Sequence, residues 1–316
     1  MIGKETTQAA RQSGFASQAI RALETKDVDK LIEVVEQCPI LATQLFIVET
    51  KASNVIHSGP LSAFVVKRGW AKALDVLWKH GDRFQSKLQS SDLTVAAYAA
   101  RKGKLSCLRK MLKLGLDVDA PLGHGALSGL VSSFRLCDYK KAMQALDILL
   151  DAGADPYAPY RYEQRSVALA AIYEANIEVS TRMLLHSSKV DKQDPGKWMD
   201  AWMNVYSDRP INHEHDLAFL EALRSKGLPV PSPVDLCRLW SDLDDSIGKS
   251  LESRSKLEFL IKWSMNLGGY DKAALRLAIE ELGNPTGLAQ VLSELTVDRL
   301  QNETQTAPAT PSRLRF

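Results

Sequence analysis

The sequence predicts an all-α fold in which short helix pairs stack side by side into a repeat solenoid. Three observations carry that reading. Gly69 and Gly103 stand 34 residues apart, and so do Gly81 and Gly115. Apolar residues recur at helical spacing before each of these glycines. The segments that follow, such as Leu116–Ala120, read as extended loops.

The clearest unit begins at Thr94. Thr94 to Gly103 reads as a short helix closed by a glycine turn, and Lys104 to Gly115 as a second, amphipathic helix. Small side chains at Ala96, Ala97, Ala99 and Ala100 let neighbouring helices approach closely. Leu105, Leu108, Met111 and Leu112 form a stripe on one helix face. Gly115 supplies the left-handed conformation that ends such a helix. Upstream, Val65, Val66 and Gly69 match Ala99, Ala100 and Gly103, while Leu74, Leu77 and Gly81 match Leu108, Met111 and Gly115. Downstream, Leu146, Leu149, Leu150 and Gly153-Ala154-Asp155 end a unit 38 residues after Gly115. Its four extra residues are placed in the inter-helix turn around Arg135–Tyr139. A fourth copy runs from Val167 to Leu185, with Ala175 and Ser187 where glycines stood.

This pattern resembles the ankyrin repeat, whose usual form is T-P-L-H-x-A-A, then G-H, a leucine-rich second helix and G-A-D-V-N. The resemblance covers residues 58–191. Of T-P-L-H only Thr94 survives, and Ala63, Ala97 and Leu169 take the place of the histidine. The hydrogen bonds which that histidine makes between repeats are therefore expected to be missing. The resemblance implies an all-α, ankyrin-type helical repeat solenoid with degenerate terminal capping repeats, since end units must show a polar outer side.

Four segments follow. Residues 1–57 read as an N-terminal helical cap or degenerate repeat, with Ala19, Ile20 and Leu23, then Val28, Leu31, Ile32 and Val35, forming a helix pair ended by Pro39. Residues 58–191 hold the ankyrin-like repeats. Residues 192–300 read as degenerate helical repeats or a separate C-terminal helical domain. There Leu217, Leu220 and Leu223 precede Gly227, Leu257, Leu260 and Ile261 precede Gly268, and further helices fall at 271–282 and 287–299. Residues 301–316, with Pro308 and Pro311, read as a flexible tail.

Composition narrows the function. The hydrophobic fraction is 45% and the charged fraction 25%, ordinary values for a buried core. Lys+Arg 40 against Asp+Glu 38 leaves a formal charge of +2, so no whole-chain field favours nucleic acid or an anionic membrane. The first residues lack the apolar region of a secretory signal, and no apolar run reaches the roughly 20 residues of a membrane span. A cytoplasmic location follows, or delivery to a host cytosol, with no membrane partner expected. Cys38, Cys107, Cys137 and Cys237 lie far apart without a CxxC pair and read as reduced, buried thiols.

No catalytic constellation emerges, so no enzyme is expected. Gly123-His124-Gly125 lacks the third glycine of a nucleotide loop. His213, Glu214, His215 and Asp216 cluster without a distant pair to complete a metal shell, and read as a helix start. No cofactor or metal is expected. Trp198 and Trp202 fit a core stripe. Basic stretches at Lys67-Arg68, Arg101-Lys102, Arg109-Lys110 and Lys140-Lys141 read as solvated faces, which disfavours nucleic acid without removing it.

What remains is protein binding. In ankyrin arrays the loops between repeats project as fingers beside the first helices. The finger after Gly153 holds Tyr157, Tyr160, Arg161, Tyr162 and Arg165, residue types that dominate interface energetics. Pro156 and Pro159 stiffen it. Leu122 and His124 belong to the preceding finger, Arg83 and Phe84 to the one before, and Trp70 sits where the family often has a turn histidine. These ten residues form the expected partner-binding set, and the same tyrosines have local packing over the next repeat as their competing role. The expected function is a non-enzymatic module that captures a protein partner on its concave, finger-bearing face as adaptor or inhibitor. Alternatives are a host-targeting effector or viral host-interaction factor, and a metal-dependent or nucleic-acid-binding protein.

Overall fold

The structure, a computed structural model, describes residues 2–50, 55–88, 93–120, 125–161, 165–174, 177–187, 197–198, 201–202, 213–227, 259–261, 263, 273 and 277. The chain divides into two compact units, Met1–Gln193 and Asp194–Phe316.

The first unit opens with α1 (Ile2–Thr25) packed on α2 (Val28–Gln37). Asp27 caps α2, its carboxylate accepting from the Lys30 N–H at 2.9 Å. Ala19, Ala22 and Leu23 of α1 and Leu31, Val34 and Val35 of α2 are buried. Pro39 starts a short 3-10 turn, Pro39–Ala42, because proline suits a first helical position but not an interior one. An antiparallel hairpin follows, β1 (Leu45–Thr50) with β2 (Val55–Pro60), Leu45 opposite Pro60. This hairpin departs from the all-helical expectation. Its segments carry Phe46, Ile47, Val48, Val55 and Ile56, branched and aromatic residues that favour extended backbone.

Four helix pairs come next: α3 (Leu61–Arg68) with α4 (Ala73–Lys79), α5 (Val95–Arg101) with α6 (Leu105–Lys113), α7 (Ala126–Ser133) with α8 (Tyr139–Asp151), and α9 (Val167–Glu174) with α10 (Ile177–His186). The first helices pack in the order α3, α5, α7, α9, and the second helices in the order α2, α4, α6, α8, α10. Two helical layers thus share one continuous apolar interior, filled by residues such as Leu74, Leu108, Met111, Leu130 and Leu149. Gly81 and Gly115 take φ of 100° and 94°, a backbone region that strains any side chain, and this conformation ends the second helix of each pair. The longer third pair is accounted for by a 3-10 turn at Phe134–Leu136 followed by the Asp138 cap of α8.

Side-chain caps survive where the T-P-L-H consensus does not. Thr94 accepts from the Ala97 N–H and Ser166 from the Leu169 N–H, both at 3.2 Å. The histidine positions Ala63, Ala97 and Leu169 are buried apolar contacts instead. Hydrogen bonds between repeats nevertheless exist: the Asp119 carboxylate accepts from the Asp155 N–H at 3.1 Å, and the Arg135 guanidinium donates to the Tyr173 carbonyl at 2.6 Å. On the outer layer, ion pairs join successive second helices: Lys79–Glu36, Lys110–Asp75 and Arg182–Asp147. Being exposed and screened by solvent, they pin register more than they stabilise.

Cys107 is fully buried, Cys38 is buried and Cys137 is half-buried, all as free thiols. Burial pushes the thiols of Cys107 and Cys137 up from their ordinary range, which keeps them protonated and unreactive. Cys237 lies outside the described residues.

In the second unit, Trp198 and Trp202 are buried beside the helix His213–Ser225. The Trp202 indole N–H donates to Asp216 at 2.7 Å, and the Trp198 and Phe219 rings lie 6.4 Å apart. Asp216 therefore serves a buried indole within a helix start, and among the described residues no His/Cys/Asp/Glu group is arranged for a metal. The expected apolar stripe is corrected at one position. Leu217 is exposed, and Phe219, Leu220, Ala222 and Leu223 form the buried face. Trp263 donates to Glu221 at 3.0 Å and sits with buried Leu260 and Ile261. Apart from residues 273 and 277, the segments expected to be helical at 271–282 and 287–299 lie outside the described residues, as does the 301–316 tail. Among the described residues no helix is long and apolar enough to cross a membrane.

Candidate functional site

The fingers are built by a repeated local device. After α4, α6 and α8, an aspartate folds back on the backbone two residues on. Asp82 accepts from the Phe84 N–H at 2.7 Å, Asp117 from the Asp119 N–H at 3.2 Å, and Asp155 from the Tyr157 N–H at 2.9 Å. The chain then extends and returns. Lys87 pairs with Thr94 across the first finger, and Pro159 with Ser166 across the third. The Ala126 N–H donates to the Val118 carbonyl at 3.1 Å in the second.

Two of these fingers hold arginines over aromatic rings. In the first, exposed Arg83 lies 4.4 Å from the Trp78 ring centroid and donates to the Trp78 carbonyl at 2.9 Å. In the third, Arg161 lies 5.3 Å from the Tyr160 ring and Arg165 5.5 Å from it. Arg165 also lies 4.9 Å from the Tyr173 ring and pairs with Glu174 at 3.8 Å. Arg161 is exposed and has φ of 52°, a left-handed conformation held by the Tyr160 N–H donating to the Arg165 carbonyl at 2.9 Å. Rings and backbone bonds fix where these guanidiniums point, so less freedom is left to lose on docking.

The expected contact set is partly redistributed. Tyr160 and Phe84 are fully buried and leave the contact surface. Phe84 has φ of 60°, and its ring is turned inward to 5.6 Å from Trp78. Tyr160 is drawn under the third finger beneath Arg161 and Arg165. Both act as supports for arginines rather than as contacts. Tyr157 is half-buried at the finger base. Trp70 is half-buried in the turn joining α3 to α4, at the far end of α3 from the hairpin, so it does not join the finger edge. Tyr162, Leu122 and His124 lie outside the described residues. Of the expected set, Arg83, Arg161 and Arg165 are the described residues whose guanidiniums stand on the fingers over aromatic rings. Trp78 and Asp119 were not anticipated, although the Gly-x-Asp pattern at Gly115 and Gly153 marked where the fingers begin.

Glycine-closed helix pairs in two layers, with aspartate-started fingers along one edge, define the architecture. It resembles an ankyrin array. Among solved structures, the ankyrin repeat domain of Bcl-3, described as a unique member of the IkappaB protein family, is similar to this chain. The two share 17% identity with a TM-score of 0.43, over 66% of this chain and 84% of that one. The architecture follows from the repeat geometry itself. No family model matches the chain, and no curated protein does.

Asp82 gives this edge a pH dependence. It is buried, and burial pushes its carboxyl above the ordinary value of 3.8, with Ser62, the Phe84 N–H and Arg83 pulling the other way. The folded state therefore holds the proton more tightly than the unfolded chain. Stability falls as pH rises from about 3.8 through the raised value, and at neutral pH the full penalty is present. Asp82→Asn keeps an oxygen for the Phe84 N–H and removes the charge. It is expected to raise the melting temperature at pH 7, with the difference shrinking toward pH 4. A variant no more stable than the parent at neutral pH would contradict this account.

Proposed function

We propose that the chain is a non-enzymatic protein-binding module that captures a partner along its finger edge, acting as adaptor or inhibitor. The observation that carries this reading is the pair of aromatic-backed arginine clusters, Arg83 over Trp78 and Arg161 with Arg165 over Tyr160. Arginine held over a ring pairs a large flat contact area with directed donors, the combination found at interface hot spots. Buried Phe84 behind Trp78, and buried Tyr160, supply rigidity without being contacts themselves.

The test is affinity capture with the full chain and with the variant Arg83→Ala/Arg161→Ala, each followed by mass spectrometry. Both replaced side chains are exposed, so circular dichroism and melting should match the parent. A partner retained by the parent and lost by the variant is the expected result. Identical captured sets from the two proteins would remove the finger edge from the mechanism.

A further inference from the structure

The array has a second edge, made by the turns that join the two helices of each pair. Sequence places Lys67 and Arg68 in the first turn, Lys102 and Lys104 in the second, and Lys140 and Lys141 after the third. Far apart in the chain, these cations stack next to one another. Lys104 Nζ lies 3.9 Å from where a Cβ would stand at Gly69. Lys141 carbons lie 2.7 and 2.9 Å from the same position at Gly103. Turn glycines thus leave room for the lysine stems of the next repeat, whose charged heads reach solvent. The Lys67 ammonium is held below the usual lysine range, by burial first and then by Arg68 and Lys102. Among the described residues, no ion pair joins Arg68, Lys102, Lys104, Lys140 or Lys141 to a carboxylate.

We propose that this turn edge is a second docking surface, separate from the finger edge, for a short acidic segment of a protein partner with carboxylates three residues apart. The spacing comes from packing. Stacked helices lie roughly 8–10 Å apart, so three successive turns span roughly 20 Å. A polyproline II segment advances roughly 3.1 Å per residue with three residues per turn, which sets acidic side chains at i, i+3 and i+6 on one face, opposite the three turns.

Two features favour such a segment over a phosphate polymer or a bilayer. The basic run ends at the fourth pair, where Glu178 stands beside Tyr139, so a long polyanion or a flat anionic surface would meet like charge there. Leu136 in the third turn is 74% exposed beside the lysines, an apolar contact that a peptide side chain can cover and a phosphate cannot.

The test uses the full chain in fluorescence anisotropy with a labelled peptide bearing three glutamates at that spacing. The same peptide with glutamines, a single-stranded oligothymidine, and phosphatidylserine vesicles serve as competitors. Binding is expected for the glutamate peptide, weakened by salt and absent for the glutamine form. Lys102→Gln/Lys140→Gln should lower its affinity at least roughly fivefold at low salt, with an unchanged melting temperature. Arg83→Ala/Arg161→Ala should leave it unchanged, which separates this surface from the finger edge. Equal binding of the glutamine peptide, indifference to the lysine pair, or stronger competition by the oligonucleotide or vesicles would each overturn the proposal.

Discussion

Replacing Gly129 by alanine is expected to lower the unfolding free energy by roughly 1–3 kcal/mol, although alanine is the better helix former by about 1 kcal/mol. Gly129 lies in α7 where it crosses α5. A Cβ there would stand 2.3 Å from the Ala97 Cβ and 3.1 Å from Leu93 Cδ2. Carbon atoms pack at roughly 3.5–4.0 Å, and neither Cβ can rotate away, so the helices must part by more than an ångström. That separation loosens contacts of buried Val95, Ala96 and Leu130 as well. Overpacking therefore outweighs propensity. Ala97→Gly restores the space at the cost of a second helix glycine. The double variant should thus be less destabilised than the sum of the two singles. Urea midpoints for the four proteins check this, and strict additivity would mean that α5 and α7 do not meet at these residues.

Tyr160→Ala and Arg161→Ala, adjacent in sequence, are expected to have opposite consequences. Tyr160 is fully buried, and deleting a buried aromatic of that size costs roughly 3–5 kcal/mol. The loss should appear as a marked fall in melting temperature, with the Arg161 and Arg165 guanidiniums released from their support. Arg161 is exposed, and alanine takes the same left-handed backbone at similar strain. Arg161→Ala should melt with the parent and show its effect in partner capture alone. Thermal denaturation followed by circular dichroism separates the two. A Tyr160→Ala protein as stable as the parent would return that tyrosine to the surface.

Much of the fold was legible because its signals are local. Glycine spacing located Gly81 and Gly115, where only backbone conformation is at stake, and an apolar stripe marked the buried Leu108 and Met111 of α6. The hairpin at Leu45–Pro60 was less so. Its apolar run is short enough to serve a helix or a strand, and pairing with the adjacent segment Val55–Pro60 decided between them. At the candidate site, the arginines were legible by residue type and their supports were not. Tyr160 looks like a contact residue from composition, yet one backbone hydrogen bond across the finger base accompanies its burial. Trp78 lies on a helix and gave no hint that Arg83 would fold back over it.

The period of the helices, the glycines that end them, the aspartates that start the fingers and the near-balanced charge were all determined by the sequence, because each acts within a few residues of itself. Tertiary structure decided which aromatic rings are buried beneath arginines and which turns stack into a basic edge. The arginine–ring pairs join residues one to five apart, but burial of the rings and stacking of the turns depend on neighbouring repeats, which meet only once the layers have packed.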